Sequence, residues 1–320
     1  MKNNSVVLGI DTSNYTTSVA IVGINGELIA NLKMPLRVKE GERGLRQSDA
    51  LFSHTVNIPQ LMKQAGEYLC GKDVVAIGVS EKPRNVEGSY MPCFLAGVAA
   101  AESIAQTMHL PLYRFSHQCG HVMAALYSSK SDELLERDFA AFHISGGTTE
   151  LVRVRNVDGC FQTELVGGTA DLNAGQVIDR IGVYLGMPFP AGPHMEQAAL
   201  TNTKKIPKKK LSVNGMKINL SGLENMAITL YKESNDKSLV AAFVFDYVAR
   251  AISAMIDAYE TEYGRGKILC AGGVMCNRII KDMLSSKYDV AFAEPAMSAD
   301  NAVGCACLAL RAFKSENNCD

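Results

Sequence analysis

The feature that most constrains the fold is a strand-turn-strand-turn-strand series that occurs twice. Val6 to Ile10 is a buried-strand run ending in the turn formers Asp11, Thr12, Ser13 and Asn14; Thr17 to Val22 then alternates as a second strand, and Gly23-Ile24-Asn25-Gly26 turns into Glu27 to Leu32. The series returns 133 residues later as Phe139 to Ile144, a turn at Ser145-Gly146-Gly147-Thr148, Glu150 to Arg155, a turn at Asn156-Val157-Asp158-Gly159, and Cys160 to Val166. Gly159 falls on Gly26 and Asp158 on Asn25. Matching turns in two three-strand meanders predict a duplicated lobe.

Each meander is followed by alternating helices and strands. In the first half the pattern predicts a helix over Phe52 to Leu69, a strand over Val74 to Val79 and a helix over Phe94 to Met108. In the second it predicts helices over Asn173 to Leu185, Ser238 to Tyr263, Met275 to Leu284 and Ala299 to Phe313, with strands at Lys267 to Ala271 and Val290 to Phe292. The expected class is therefore α/β in two lobes. Residues 1–115 form the first, completed by the closing helix 299–313; residues 116–298 form the second, with a helical insertion. Asn202 to Leu211 is the least structured section, and its five lysines read as a solvated loop or a polyanion contact.

Composition sets the surroundings. At 47% hydrophobic and 20% charged, 320 residues can bury a large core. Nine cysteines with no C-x-x-C pair fit reduced thiols rather than a disulfide framework, and the start lacks the apolar region of an export signal. No uninterrupted apolar run reaches ~18 residues, so the expectation is a cytoplasmic protein with no membrane partner. A net charge of −1 gives no general attraction to nucleic acid.

Two of the six histidines, His117 and His121, sit four apart where the run Leu112, Tyr113, Phe115 hands over to an apolar helix. At that spacing both rings leave one helix face, close enough to share an ion. Two ligands alone do not make a site, and the pair reads equally as two helix-face histidines. Zinc proteases carry a glutamate base after the first histidine of such a pair; here the residue is Gln118, and an amide cannot take a proton from water. Asp300, where the last helix begins, reads as an N-cap or as a third ligand. Asp179 reads as a surface carboxylate or as an inward group placed for a ribose.

Three turns place small or glycine residues at strand ends: Asp11-Thr12-Ser13-Asn14, Ser145-Gly146-Gly147-Thr148 and Gly272-Gly273, the last before a helix holding Asn277 and Arg278. Such turns let backbone amides approach a phosphate or sugar. Two in duplicated hairpins and a third at a strand-helix junction are the layout of an actin-like nucleotide cleft.

Together, His117-Gln118-Cys119-Gly120-His121, Ile144-Ser145-Gly146-Gly147-Thr148, Ala271-Gly272-Gly273-Val274 with Asn277, and Asp300-Asn301-Ala302 come in the order and approximate spacing of the TsaD family, once called O-sialoglycoprotein endopeptidase. The resemblance runs from Gly9-Ile10-Asp11-Thr12-Ser13 to the closing helix, through Gly175 to Asp179, Pro190 to Pro193 and Ser221-Gly222-Leu223. It implies an actin-like (ASKHA) duplicated fold, with a metal and nucleotide site in the cleft between two lobes. The implied activity is transfer of a threonylcarbamoyl group from its adenylate to the adenosine beside the anticodon of transfer RNA. His117, His121 and Asp300 would hold one iron or zinc ion. Ile144, Ser145, Gly146, Gly147, Thr148, Asp179, Gly192, Gly272, Gly273 and Asn277 would line the pocket for adenine nucleotide or threonylcarbamoyl-adenylate, magnesium accompanying the nucleotide, and Asp11 is the candidate catalytic carboxylate. A smaller paralogue lacking the histidine pair and a small ATPase are the implied partners.

The chain departs from the family at four places. After Thr12-Ser13 the family continues Cys-Asp-Glu-Thr, whereas here Asn14-Tyr15-Thr16-Thr17 follows, without two carboxylates. Residues 81–90 replace a short Gly-Pro-Gly turn, Thr148 stands where histidine is common, and Glu224 where lysine is usual. The expectation is a threonylcarbamoyl-transferase-like enzyme with a rebuilt acceptor side, a divergent paralogue. The alternatives are a metal- and nucleotide-binding scaffold or regulator without turnover and, against Gln118, a metallopeptidase.

Overall fold

A computed structural model describes residues 4–13, 15–37, 45–157, 160–298 and 302–317. Chain contacts divide it into two compact units: Met1–Arg137 with Arg155–Thr163 and Ala296–Asp320, and Asp138–Val154 with Glu164–Pro295.

The first unit is built on β1 (Ser5–Asp11), all seven residues of which are buried. An apolar run that long, Val6-Val7-Leu8 and Ile10, suits only a strand covered on both faces. β1 pairs antiparallel with β2 (Thr16–Gly23), which pairs antiparallel with β3 (Leu28–Pro35). Helix α1 (Gln47–Leu69) follows, starting earlier than its apolar pattern predicted. β4 (Asp73–Lys82) then lies parallel to β1, α2 (Phe94–Met108) has the predicted limits, and β5 (Leu112–Ser116) pairs parallel with β4. The sheet order is β3-β2-β1-β4-β5. Ser116 ends β5 and caps α3 (His117–Ser129), its Oγ accepting from the Cys119 amide at 3.2 Å.

The second unit repeats the plan. β6 (Phe139–Ile144) pairs antiparallel with β7 (Thr149–Val157), and β8 (Cys160–Thr169) lies beside β7. α4 (Ala174–Tyr184), α5 (Gly192–Leu200), the short β9 (Val213–Asn214) and β10 (Lys217–Ile218), and α6 (Ser221–Ser234) precede α7 (Lys237–Tyr263). β11 (Ile268–Ala271) runs parallel to β6, and α8 (Arg278–Ser285) and β12 (Val290–Phe292) close the unit, the short α9 (Pro295–Ser298) leading back to the first. In the sheet β12-β11-β6-β7-β8-β10-β9, the run β8-β7-β6-β11-β12 has the order of β3-β2-β1-β4-β5. The repeat visible in the sequence is thus a repeat of strand topology.

α7 is long and apolar enough to cross a membrane, but most of its apolar stretch is buried inside the protein. It is the core helix of the second unit, carrying Phe243, Val244, Phe245, Val248, Ile252 and Met255 inward. Its buried Asp246 is satisfied by Arg250 Nε at 2.8 Å and by an ion pair with Lys208. Lys204 pairs with Asp236 at 2.8 Å. The lysine-rich section has no helix or strand, yet it is strapped to α7 and its cap, Arg250 and Tyr247 also donating to the Lys209 and Lys210 carbonyls, rather than being only a solvated loop. The helix predicted over Met275 to Leu284 is divided: a 3-10 turn covers Gly273–Cys276, and Asn277, with extended backbone, caps α8.

α10 (Val303–Glu316) returns to the first unit. It lies against β1 and β4 where Gly9 and Gly78 are register partners, and a Cβ at those glycines would fall 2.4 Å from the Ala302 carbonyl oxygen and 2.2 Å from that of Cys305. On α3 the same closeness recurs, since a Cβ at Gly304 would fall 1.8 Å from the Gly120 carbonyl oxygen. This packing carries the first unit past residue 115, through α3 to Arg137.

Candidate functional site

In the first unit, the end of β1 and the start of α3 bring Asp11, His117 and His121 together. Asp11 is 1% exposed. Its Oδ1 accepts from the Ser13 amide at 3.0 Å and Ser80 Oγ at 2.5 Å, while Oδ2 accepts from Ser13 Oγ at 3.3 Å and contacts His117 Nδ1 at 2.9 Å. The Ser116 cap sets His117 as the first helical residue and His121 one turn on, with ring centroids 4.3 Å apart and planes at 73°. The Phe94 ring centroid lies 6.1 Å from that of His117.

Two neighbouring imidazoles, one with its Nδ1 held by a carboxylate, form a donor set suited to iron or zinc. Asp300, the third ligand implied by the resemblance, lies outside the described residues. Among the described residues no group of three His, Cys, Asp or Glu side chains is arranged to hold an ion. Gln118 is engaged elsewhere, its Oε1 accepting from Thr163 Oγ1 at 2.9 Å and its amide donating to the Pro83 carbonyl at 3.1 Å. The second of these bonds ties the rebuilt 81–90 loop to the histidine helix. Tyr15 is 40% exposed at the mouth of β2.

Sequence reasoning missed His54 on α1. Its ring is fully buried, Nδ1 lies 2.9 Å from Thr17 Oγ1, and Nε2 has no hydrogen-bond partner among the described residues. Asn57 Nδ2 donates to the same Thr17 Oγ1 at 3.1 Å. Burial holds the His54 pKa down to about 4 against the attraction of Asp11, so the ring is neutral at pH 7. The only sequence signal was a polar residue on the inward stripe Ala50, Ile58, Leu61, Ala65.

In the second unit the Ser145–Thr148 and Gly272-Gly273 turns follow the carboxyl ends of β6 and β11, where ligands collect in open α/β sheets, while Asp179 lies on α4 and Gly192 opens α5. The β6–β7 turn is closed by the Ser145 amide donating to the Thr148 carbonyl at 2.8 Å, and by the Gly147 amide donating to Ser145 Oγ at 3.3 Å. Gly272, at φ +101°, crosses so close to the end of β6 that a Cβ would fall 2.2 Å from the Ile144 carbonyl oxygen. Gly146, Gly147, Gly192 and Gly273 have nothing within 4 Å of a Cβ position. The β6–β7 turn at Gly146-Gly147 and the turn after β11 at Gly273 thus leave glycine backbone open, as close approach of a nucleotide requires.

Three candidates also carry structural duties. Asp179 Oδ1 accepts from the Ala191 amide at 2.7 Å and so fixes the start of α5 at Gly192. Asn277 Oδ1 accepts from the Ile280 amide at 3.1 Å, and its Nδ2 donates to Glu196 at 2.8 Å, a carboxylate not foreseen from the sequence. Thr149 Oγ1 and the Ser145 carbonyl occupy the Ala174 and Gly175 amides, leaving the α4 N-terminus less to offer an anion. Glu224 pairs with Arg180 at 3.3 Å.

A family model described as "TsaD: tRNA N6-adenosine threonylcarbamoyltransferase" matches residues 38–307. The chain is 30% identical over 311 residues to the tRNA N6-adenosine threonylcarbamoyltransferase of Halalkalibacterium halodurans, covering 92% of this chain and 85% of that protein. It is 29% identical over 306 residues to that of Bacillus thuringiensis (strain Al Hakam), covering 90% and 84%. Among solved structures it is similar to the activator of the 2-hydroxyisocaproyl-CoA dehydratase from Clostridium difficile with bound ADPNP, with a TM-score of 0.54 and 12% identity over 98% of this chain and 97% of that one. That likeness is one of fold, the actin-like ATPase fold of two mixed α/β sheets.

Proposed function

The chain belongs to the TsaD family of tRNA N6-adenosine threonylcarbamoyltransferases, and from that membership we propose that it is a divergent transferase. In this reading it binds a threonylcarbamoyl-adenylate and passes the carbamoyl group to an adenosine amine of transfer RNA. The amine nitrogen bonds to the carbamoyl carbon, the bond from that carbon to the AMP oxygen breaks, and the amine gives up one proton. The observation that carries the reading is the His117–His121 pair, ring centroids 4.3 Å apart with His117 held by Asp11, at the helix start where the resemblance implies a metal.

His117 and His121, with Asp300, would hold one divalent ion, iron or zinc. When bound, such an ion would supply Lewis acidity at the threonylcarbamoyl end. The open amide backbone at Gly146 and Gly273 receives the adenylate, magnesium accompanying a triphosphate, and Gly192 is a further proposed lining residue. The smaller paralogue and small ATPase implied by the resemblance are the proposed partners, and the proposed compartment is the cytoplasm.

Tyr15 and Thr16 favour a second reading, a binding paralogue with little turnover. They stand at the start of β2 in place of two carboxylates, and at neutral pH they offer hydrogen bonds without negative charge. General-base or electrostatic help of that kind is worth about 100-fold or more. The test is single-turnover transfer from threonylcarbamoyl-adenylate to unmodified transfer RNA, with a full-motif relative under the same partners. The transferase reading expects slow but metal-dependent transfer that Tyr15→Asp with Thr16→Glu accelerates. Normal adenylate binding with no transfer by the wild type or by the Tyr15→Asp, Thr16→Glu variant, while the relative transfers, would establish the second reading instead.

A further inference from the structure

We infer that Asp11 is a positioning residue for the metal, which fixes the tautomer and direction of His117, rather than the catalytic base. Both carboxylate oxygens are committed. Oδ1 takes the Ser13 amide and Ser80 Oγ; Oδ2 takes Ser13 Oγ and His117 Nδ1 at 2.9 Å. A base must come within about 3 Å of the proton it removes, and a carboxylate 1% exposed inside such a cage offers a substrate amine no approach. A carboxylate only accepts, so the hydrogen bond to His117 places that ring's proton on Nδ1 and its lone pair on Nε2. The Ser116 cap and the Phe94 ring limit how else His117 can turn.

The cage makes the isosteric substitution the most informative one. In Asp11→Asn the position facing the Ser13 amide must remain the oxygen, because an amide NH2 there would oppose the backbone N–H across 3.0 Å. The new NH2 then faces His117 and requires Nδ1 as its acceptor, which moves the ring proton to Nε2, the nitrogen that would bind the ion. An aspartate-to-asparagine change that preserves shape and inverts the tautomer is the mechanism by which such a pair fails.

The inference rests on the metal reading above, so the experiment separates the two. Full-length protein labelled with 15N-histidine and stripped of metal is examined by long-range 15N–1H correlation, and zinc affinity is measured by competition with a chromophoric chelator. Wild type is expected to show His117 as the Nδ1–H tautomer and Asp11→Asn as the Nε2–H tautomer, with zinc affinity lowered by about 10- to 100-fold. Asp11→Ala should lower it within the same range, without forcing the tautomer. His117 unchanged in tautomer and zinc bound at wild-type affinity in Asp11→Asn would overturn the inference. If His117→Ala and His121→Ala keep wild-type zinc affinity, the metal reading itself is wrong and the inference falls with it. Binding of an ATP analogue to each variant reports that the chain has folded.

Discussion

Replacing Gly304 by alanine should loosen the first unit at the seam between α3 and α10. The added Cβ would stand 1.8 Å from the Gly120 carbonyl oxygen, 2.5 Å from its carbon and 2.8 Å from the Gly120 Cα. An ordinary carbon contact is about 3.5 Å, so one helix must retreat by roughly 1.5 Å. All three atoms are backbone, and no rotamer change relieves the clash. α10 is held on its other side by similar approaches to Gly9 and Gly78, so the displacement falls on α3. Overpacking of this kind costs about 1–3 kcal/mol, and with no soft neighbour the upper end applies. At roughly 2–4 °C per kcal/mol for a unit of this size, the Tm should fall by about 6–12 °C. Calorimetry would measure it, with Gly146→Ala as the control because its Cβ meets nothing within 4 Å. Since α3 carries His117 and His121, zinc affinity should fall in parallel. A Gly304→Ala melt within about 1 °C of wild type would refute the reasoning.

Three further outcomes follow from buried groups and from glycine geometry. His54 has its folded pKa near 4 against an unfolded value of 6.5; its contribution is complete above pH 6.5 and is lost as pH falls toward 4, because the unfolded chain takes up the proton first, a loss of about 3 kcal/mol. Urea titrations of wild type and His54→Phe from pH 4.5 to 7 should differ in slope, and parallel slopes would remove His54 from the account. Gly272→Ala, forcing a side chain to φ +101° and 2.2 Å from the Ile144 oxygen, should lower stability by about 1–3 kcal/mol. Gly273→Val, whose Cβ meets nothing, should leave the Tm unchanged while weakening an ATP analogue in calorimetry; equal nucleotide affinity there would displace the proposed binding edge.

The strand periodicity of β1, β6 and β11, the limits of α2 and the histidine pair at a strand-helix junction were legible because each is a local pattern. What was not legible depends on partners far apart in sequence. Asp11 and His117 are 106 residues apart, and nothing beside Asp11 announces that its oxygens will be enclosed by Ser13, Ser80 and His117. His54 was hidden in an ordinary amphipathic stripe, since its partner Thr17 lies on another element. α5 and α6 went unseen because they are short or begin without a side-chain cap, α6 being entered instead through Asp171, which accepts from the Leu220 and Ser221 amides 49 and 50 residues on. The lysine-rich section looked solvated because Asp246, which neutralises Lys208, sits inside an otherwise apolar helix.

The return of α10 sets a schedule for synthesis. The ribosome makes β1, β4 and α3 early, with the glycine strip of Gly9, Gly78 and Gly120 already in place, but the helix that fits that strip emerges only after residues 138–295 have been made. Until then the nascent chain carries an uncovered apolar sheet face beside the histidine helix, a natural target for a chaperone. Ribosomal stalling before Val303 would leave the histidine helix without its packing partner.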